Sequence, residues 1–145
     1  MKILVVYDST YGNTEKIARA VGAALTGDVK VLRAGEVNPA ELNPFDLLIV
    51  GSPTQGGRPT LAMQEFINII NVKGVNVAVF DTRFPTKLGK LFGFAGDRIA
   101  KILKEKEANF IVPTEGFFVT GKEGPLKEGE LERAANWAKE LVKGK

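Results

Sequence analysis

Residues 2–25, KILVVYDSTYGNTEKIARAVGAAL, carry the decision about the fold. Lys2–Tyr7 is a short aliphatic and β-branched run with no polar residue after the first, the mark of a strand buried on both faces. From Thr14 onward, Ile17, Val21 and Leu25 fall with Ala20 and Ala24 on one stripe of an amphipathic helix. Between them, Ser9-Thr10-Tyr11-Gly12-Asn13-Thr14 crowds hydroxyls, an amide and a glycine into six positions. The stretch is a strand-to-helix turn.

Outward from that unit the pattern repeats. DVKVLRA from Asp28 reads as a second strand, and GEVNPAELNPF, with its prolines and asparagines, as a connector. DLLIVG from Asp46 is a third strand, followed by the loop SPTQGGRPT. The helix LAMQEFINII comes next, with Leu61, Glu65, Phe66, Ile69 and Ile70 at helical spacing. NVAVFD from Asn76 is the fourth strand. A helix is expected from Lys87, carrying Leu88, Leu91, Phe92, Ala95, Ile99, Ile102 and Leu103, with Gly89, Gly93 and Gly96 obscuring its start. NFIV and GFFV make a fifth strand, broken or bulged around Pro113. Leu131, Ala134, Ala135, Ala138, Leu141 and Val142 stripe a last helix. Apolar strands alternating with helices predict a parallel sheet covered on both faces, a doubly wound α/β domain.

At 145 residues the chain is expected to be one domain, residues 1–145, large enough to bury a core without disulfides. No repeat, low-complexity tract or linker divides it. No apolar run approaches the roughly 20 residues of a membrane span. The first residues lack the pattern of a signal peptide, so a cytoplasmic location is expected. With no cysteine and no histidine, thiolate nucleophiles, disulfides, zinc–thiolate sites and imidazole proton shuttles are excluded. Any redox chemistry must come from a bound cofactor. The net charge of +3 is spread over lysines interleaved with glutamates, as on a solvated helix face, which argues against nucleic-acid binding.

In a doubly wound sheet the ligand crevice lies at the carboxyl ends of the strands beside the switch point, which nominates the loops after strands one and three. The N–H groups of a helix N-terminus point outward with a partial positive charge behind them, so STYGNT fits a phosphate. Ser9, Thr10 and Thr14 offer hydroxyls, Asn13 an amide, and Gly12 permits close backbone approach. The alternative is that one of these residues merely caps the helix. No GxGxxG follows a strand, so a dinucleotide fingerprint is absent. GFFVTGKE from Gly116 matches GxxxxGK only formally, because Glu123 replaces the magnesium-binding hydroxyl and the interior is strand-like. A phosphoacceptor receiver domain needs carboxylates where strand three ends in Gly51-Ser52.

These residues carry a family resemblance. The chain resembles the flavodoxins, whose loop Ser/Thr-x-Thr-Gly-Asn-Thr holds the phosphate of FMN. Ser9, Gly12, Asn13 and Thr14 match directly, while Tyr11 stands in place of the usual threonine, as in flavodoxin modules of larger flavoproteins and quinone reductases. GSPTQGG resembles the flavin loop of those modules. The resemblance spans the whole chain in its short form and implies a five-stranded parallel sheet of order 2-1-3-4-5 and an FMN cofactor. It implies flavin contacts from Ser52, Pro53, Thr54, Gln55, Gly56 and Gly57, with backbone amides and small side chains facing the ribityl and isoalloxazine.

The third loop, from Asp81, departs from the pattern. Flavodoxins commonly stack aromatics on both flavin faces; here the second loop has none, and Phe84 is the nearest candidate, with packing against the core or the glycine-rich segment after it as its alternative. Asp81, Thr82, Arg83 and Phe84 complete the nominated site. Arg83 either faces the flavin N1 and O2 edge or is solvated, and Trp137 is expected to pack its helix. Two functions follow: an FMN-binding carrier shuttling electrons between redox partner proteins, or an FMN-dependent NAD(P)H:quinone reductase. A flavin-free binding protein is a third. Flavodoxins that replace ferredoxin are acidic. This chain is basic, so partners with acidic docking surfaces are the matching expectation, with the chain as a monomer or weak dimer.

Overall fold

β1 (Lys2–Tyr7) buries every residue after Lys2, and β3 (Leu47–Pro53) and β4 (Asn76–Arg83) are buried over nearly their whole length. Strands with no polar face need a covering layer on each side. The computed structural model describes residues 1–42, 44–85 and 93–143. It has a sheet of order β2-β1-β3-β4-β5 with parallel pairing throughout, β2 being Asp28–Arg33 and β5 Asn109–Phe110. The order is the expected one.

Alternation along the central strands divides the core in two. Ile3, Val5, Tyr7, Leu47, Ile49, Ala78 and Phe80 face α1 (Asn13–Ala24) and α4 (Glu130–Leu141). Leu4, Val6, Leu48, Val50, Val77 and Val79 face α2 (Leu61–Ile69) and α3 (Ala95–Glu105). Each of the valine, leucine, isoleucine and phenylalanine side chains is worth about 1.5–3 kcal/mol when fully buried. Gly51 sits opposite Phe80 in the ladder, and a Cβ there would stand 2.0 Å from the Phe80 ring. Its missing side chain makes room for Phe80, whose ring meets Phe117 and Trp137 edge-on at 5.9 Å. Trp137 packs its helix as expected.

The fifth strand position is split. β5 pairs Phe110 with Val77, and β6 (Glu115–Phe118) pairs Glu115 with Phe80 on the same edge of β4. Over that interval the edge chain runs two residues longer than β4, and the excess bulges out around Pro113, which has no N–H to give the ladder.

Three helix expectations need correction. In α2 the core face is Met63, Phe66, Ile67 and Ile70, while Leu61 and Ile69 are exposed. The apolar content of that helix is high enough to draw two plausible stripes, and packing on the sheet selects one. α3 begins at Ala95, after Gly93 at φ 81° and an extended Phe94, so no continuous helix runs from Lys87. Leu88, Leu91 and Phe92 lie outside the described residues. In α4 Leu131 is exposed and Glu130 is buried. Glu130 is tolerated inside because Phe118 N–H and Arg133 donate to its carboxylate. No helix among the described residues is long and apolar enough to cross a membrane.

Candidate functional site

The carboxyl ends of β1, β3 and β4 open on a cavity of 670 Å³, within the range of small-molecule sites. The first wall is STYGNT. Gly12 takes a left-handed φ of 91° as the N-cap of α1, so the cap position carries no side-chain oxygen and no side chain caps the helix. Ser9 Oγ instead accepts from Gly12 N–H at 3.0 Å. Asn13 Nδ2 donates to the Glu123 carbonyl at 3.1 Å, and the hydroxyls of Thr14 and Thr82 are hydrogen-bonded at 2.8 Å. The capping alternative therefore fails: the hydroxyls and the amide hold loops together, and the first turn of α1 brings its uncapped N–H groups and positive dipole end to the cavity. Arg33 steadies this loop from behind, its Nη1 donating to Asp8 Oδ1 at 3.1 Å and to the Ser9 carbonyl at 2.9 Å.

The second wall is Pro53–Gly57. Gln55 and Arg58 exchange both backbone hydrogen bonds, at 2.8 and 3.1 Å, around Gly56 and Gly57 with φ of 59° and 80°. Two successive positive φ values are what a type I′ turn requires, and glycine adopts them without a Cβ penalty. Gln55 Nε2 reaches across to Thr10 Oγ1 at 2.6 Å, joining the two loops. Thr54 N–H donates to the Thr82 carbonyl, and Thr54 Oγ1 accepts from Ala95 N–H at the start of α3. Thr60 caps α2 by accepting from Met63 N–H at 3.3 Å. One loop thus both lines a cavity and opens a helix.

The third wall is Thr82–Phe84 with Gly93 and Phe94. Arg83 is neither solvated nor turned freely to the cavity. Its Nε and Nη2 each lie 2.7 Å from the Asp81 carboxylate, and its guanidinium stacks 3.6 Å over the Phe94 ring. Asp81 is fully buried, also accepts from Gly96 N–H at 2.8 Å, and faces away from the cavity. Burial pushes its carboxyl upward from the ordinary range, and Arg83 and the Gly96 N–H pull it back. Phe84 is 45% exposed and lines the cavity, so core packing is excluded, while most of the glycine-rich segment that follows it lies outside the described residues.

Of the nominated residues, Ser9, Thr10, Tyr11, Asn13, Thr14, Pro53, Thr54, Gln55, Gly56, Gly57, Thr82, Arg83 and Phe84 line one cavity. Three nominated residues stand behind its surface. Gly12 shapes the turn, Asp81 holds Arg83, and Ser52 is buried with its hydroxyl between Thr60 N–H and the Pro53 carbonyl. Gly93, Phe94, Val119 and Lys122 also line the cavity and were not nominated. Val119 and Lys122 follow β6, a strand whose break disguised where its carboxyl end falls. The formal GxxxxGK match begins inside β6, so the first part of its interior is strand, as expected. Among the described residues no cluster of carboxylates could hold a metal.

Known proteins share this fold. The family model described as Flavodoxin matches residues 5–137. A crystal structure of oxidised flavodoxin 2 from Bacillus cereus superposes with a TM-score of 0.82 at 27% identity, covering 98% of both chains. A flavodoxin of Maridesulfovibrio salexigens is 34% identical over 89 residues, 54% of this chain and 61% of that protein. An NAD(P)H dehydrogenase (quinone) of Cupriavidus metallidurans is 36% identical over 90 residues, 46% of this chain and 45% of that protein. The chain thus spans about half the length of these curated relatives. With the family match running from the first strand into the last helix, this chain belongs to the flavodoxin family.

Proposed function

We propose that the chain binds FMN in this cavity and carries electrons between redox partner proteins. The observation that supports it most is the uncapped first turn of α1 beside a wall of neutral donors. Ser9, Thr10, Gly12, Asn13 and Thr14 would hold the phosphate, with Lys122 adding an ammonium to the same cavity. Pro53–Gly57, Thr82–Phe84 and Phe94 would enclose the ribityl and ring system, Phe94 being held in place by Arg83 and, through it, Asp81. When bound, FMN supplies the one- and two-electron chemistry. The chain itself binds, orients and shields, which suits a cavity lined by no carboxylate among the described residues. Titration with FMN and riboflavin tests the reading. FMN is expected to bind tighter by at least about 1–3 kcal/mol, because riboflavin leaves the phosphate donors without a partner. Equal affinity would overturn it.

A second reading, an FMN-dependent quinone reductase, is favoured by the relatives named NAD(P)H dehydrogenase (quinone). Rapid turnover of NADPH and a quinone by the FMN-loaded chain, with no added reductase, would establish that reading in place of the carrier.

A further inference from the structure

A second groove, of 390 Å³, adjoins the cavity across the Gln55–Arg58 turn. Among the described residues its lining includes Arg58, Arg98 and Lys101 against one carboxylate, Glu105, with Pro59 and Ile102 as apolar contacts. The groove and the cavity are mechanically joined: Gly57 lines the cavity, Arg58 lines the groove, and Arg98 Nε donates to the Gly57 carbonyl at 2.7 Å. Leu61, 77% exposed, opens α2 immediately beyond the turn. Phe84 and Tyr11, 45% and 47% exposed, stand at the cavity. Asp97 is an exposed acid in the first turn of α3 but is not part of the groove.

Long exposed cations around small apolar anchors make a docking surface, whereas a small anion needs convergent buried donors. Resting on the carrier reading, we propose that Arg58 and Lys101 form the contact for an acidic surface of a redox partner protein, seated against the turn that walls the cofactor cavity and that Arg98 braces through the Gly57 carbonyl. The charge of the groove selects and steers the partner, and its position brings the partner to the cavity edge.

The test uses a poly-glutamate peptide as the acidic probe and isothermal calorimetry on the FMN-free chain, so its outcome is independent of cofactor binding. Reversing two charges on this face, R58E with K101E, is compared with K30E and K139E, which make the same change of net charge on β2 and α4. The expected result is salt-sensitive binding weakened roughly tenfold by the first pair and little by the second. In the FMN-loaded, reduced chain, oxidation by hexacyanoferrate(III) should slow in the first pair, and oxidation by a tripositive cobalt complex should quicken. Equal weakening by both pairs, or no binding by the parent chain, overturns the proposal. So does tight binding of NADP⁺ lost only in the first pair, which would make the groove a nucleotide-phosphate site.

Discussion

At the scale of single residues, the site is built from side chains that hold loops to one another. Thr14 shows it best: its hydroxyl is buried at the start of α1 yet bonded to Thr82 from β4, 68 positions away. Thr14→Val keeps the shape and removes the oxygen, leaving Thr82 without its partner at the cavity wall. We expect FMN affinity to fall by about 1–3 kcal/mol while the FMN-free chain loses about 1 kcal/mol or less. Calorimetric titration and denaturant unfolding measure the two separately. A loss of stability with unchanged FMN affinity would return Thr14 to a purely structural role. That STYGNT would line a crevice at the sheet's carboxyl edge was legible from its place between a buried strand and a helix, but that Asn13 would bind the carbonyl of Glu123 was not, because the partner lies 110 positions along the chain.

At the scale of elements, α4 is held by an ion-pair cluster. Glu130 accepts from Phe118 N–H at 2.7 Å and from Arg133, and Arg133 also reaches Glu115 and the Gly116 carbonyl. The Arg133 hydrogen bond is the chief cause holding the Glu130 carboxyl below its ordinary 4.5. A depressed carboxyl stabilises the fold above its unfolded value and loses that contribution as pH falls through the lower folded value. Glu130→Gln should therefore cost about 1–3 kcal/mol at neutral pH. The gap from the parent should close as the solution is acidified below 4.5. Urea unfolding at several pH values measures it, and a gap independent of pH would refute the assignment. The stripe drawn through Leu131 missed this because a glutamate reads as surface until its donors are known.

At the scale of the whole molecule, the two core clusters share their strands. Val5 and Leu4, neighbours in β1, serve opposite faces, as do Ala78 and Val79 in β4. Neither layer can melt without stripping the sheet from the other. Trp137 fluorescence reports the α1 and α4 layer, and far-ultraviolet circular dichroism reports both. The two probes are expected to trace one coincident unfolding transition. Saturating FMN, at roughly 100 times its dissociation constant, should raise stability by about 2.7 kcal/mol in both. Transitions that separate would contradict the shared core.

The chain's own sequence determined the strands, the burial of β1, β3 and β4 on both faces, the parallel sheet and the two loops at its switch point. Those depend on hydrophobic periodicity and turn chemistry, which act between near neighbours. The break of the fifth strand around Pro113 was legible as well, whereas tertiary structure alone decided which face of α2 is buried and where α3 begins. It also set Arg83 between Asp81 and Phe94, and brought Val119 and Lys122 to the cavity. Each depends on partners distant in sequence, and the free energy of burying or pairing a side chain is set by what the fold places against it.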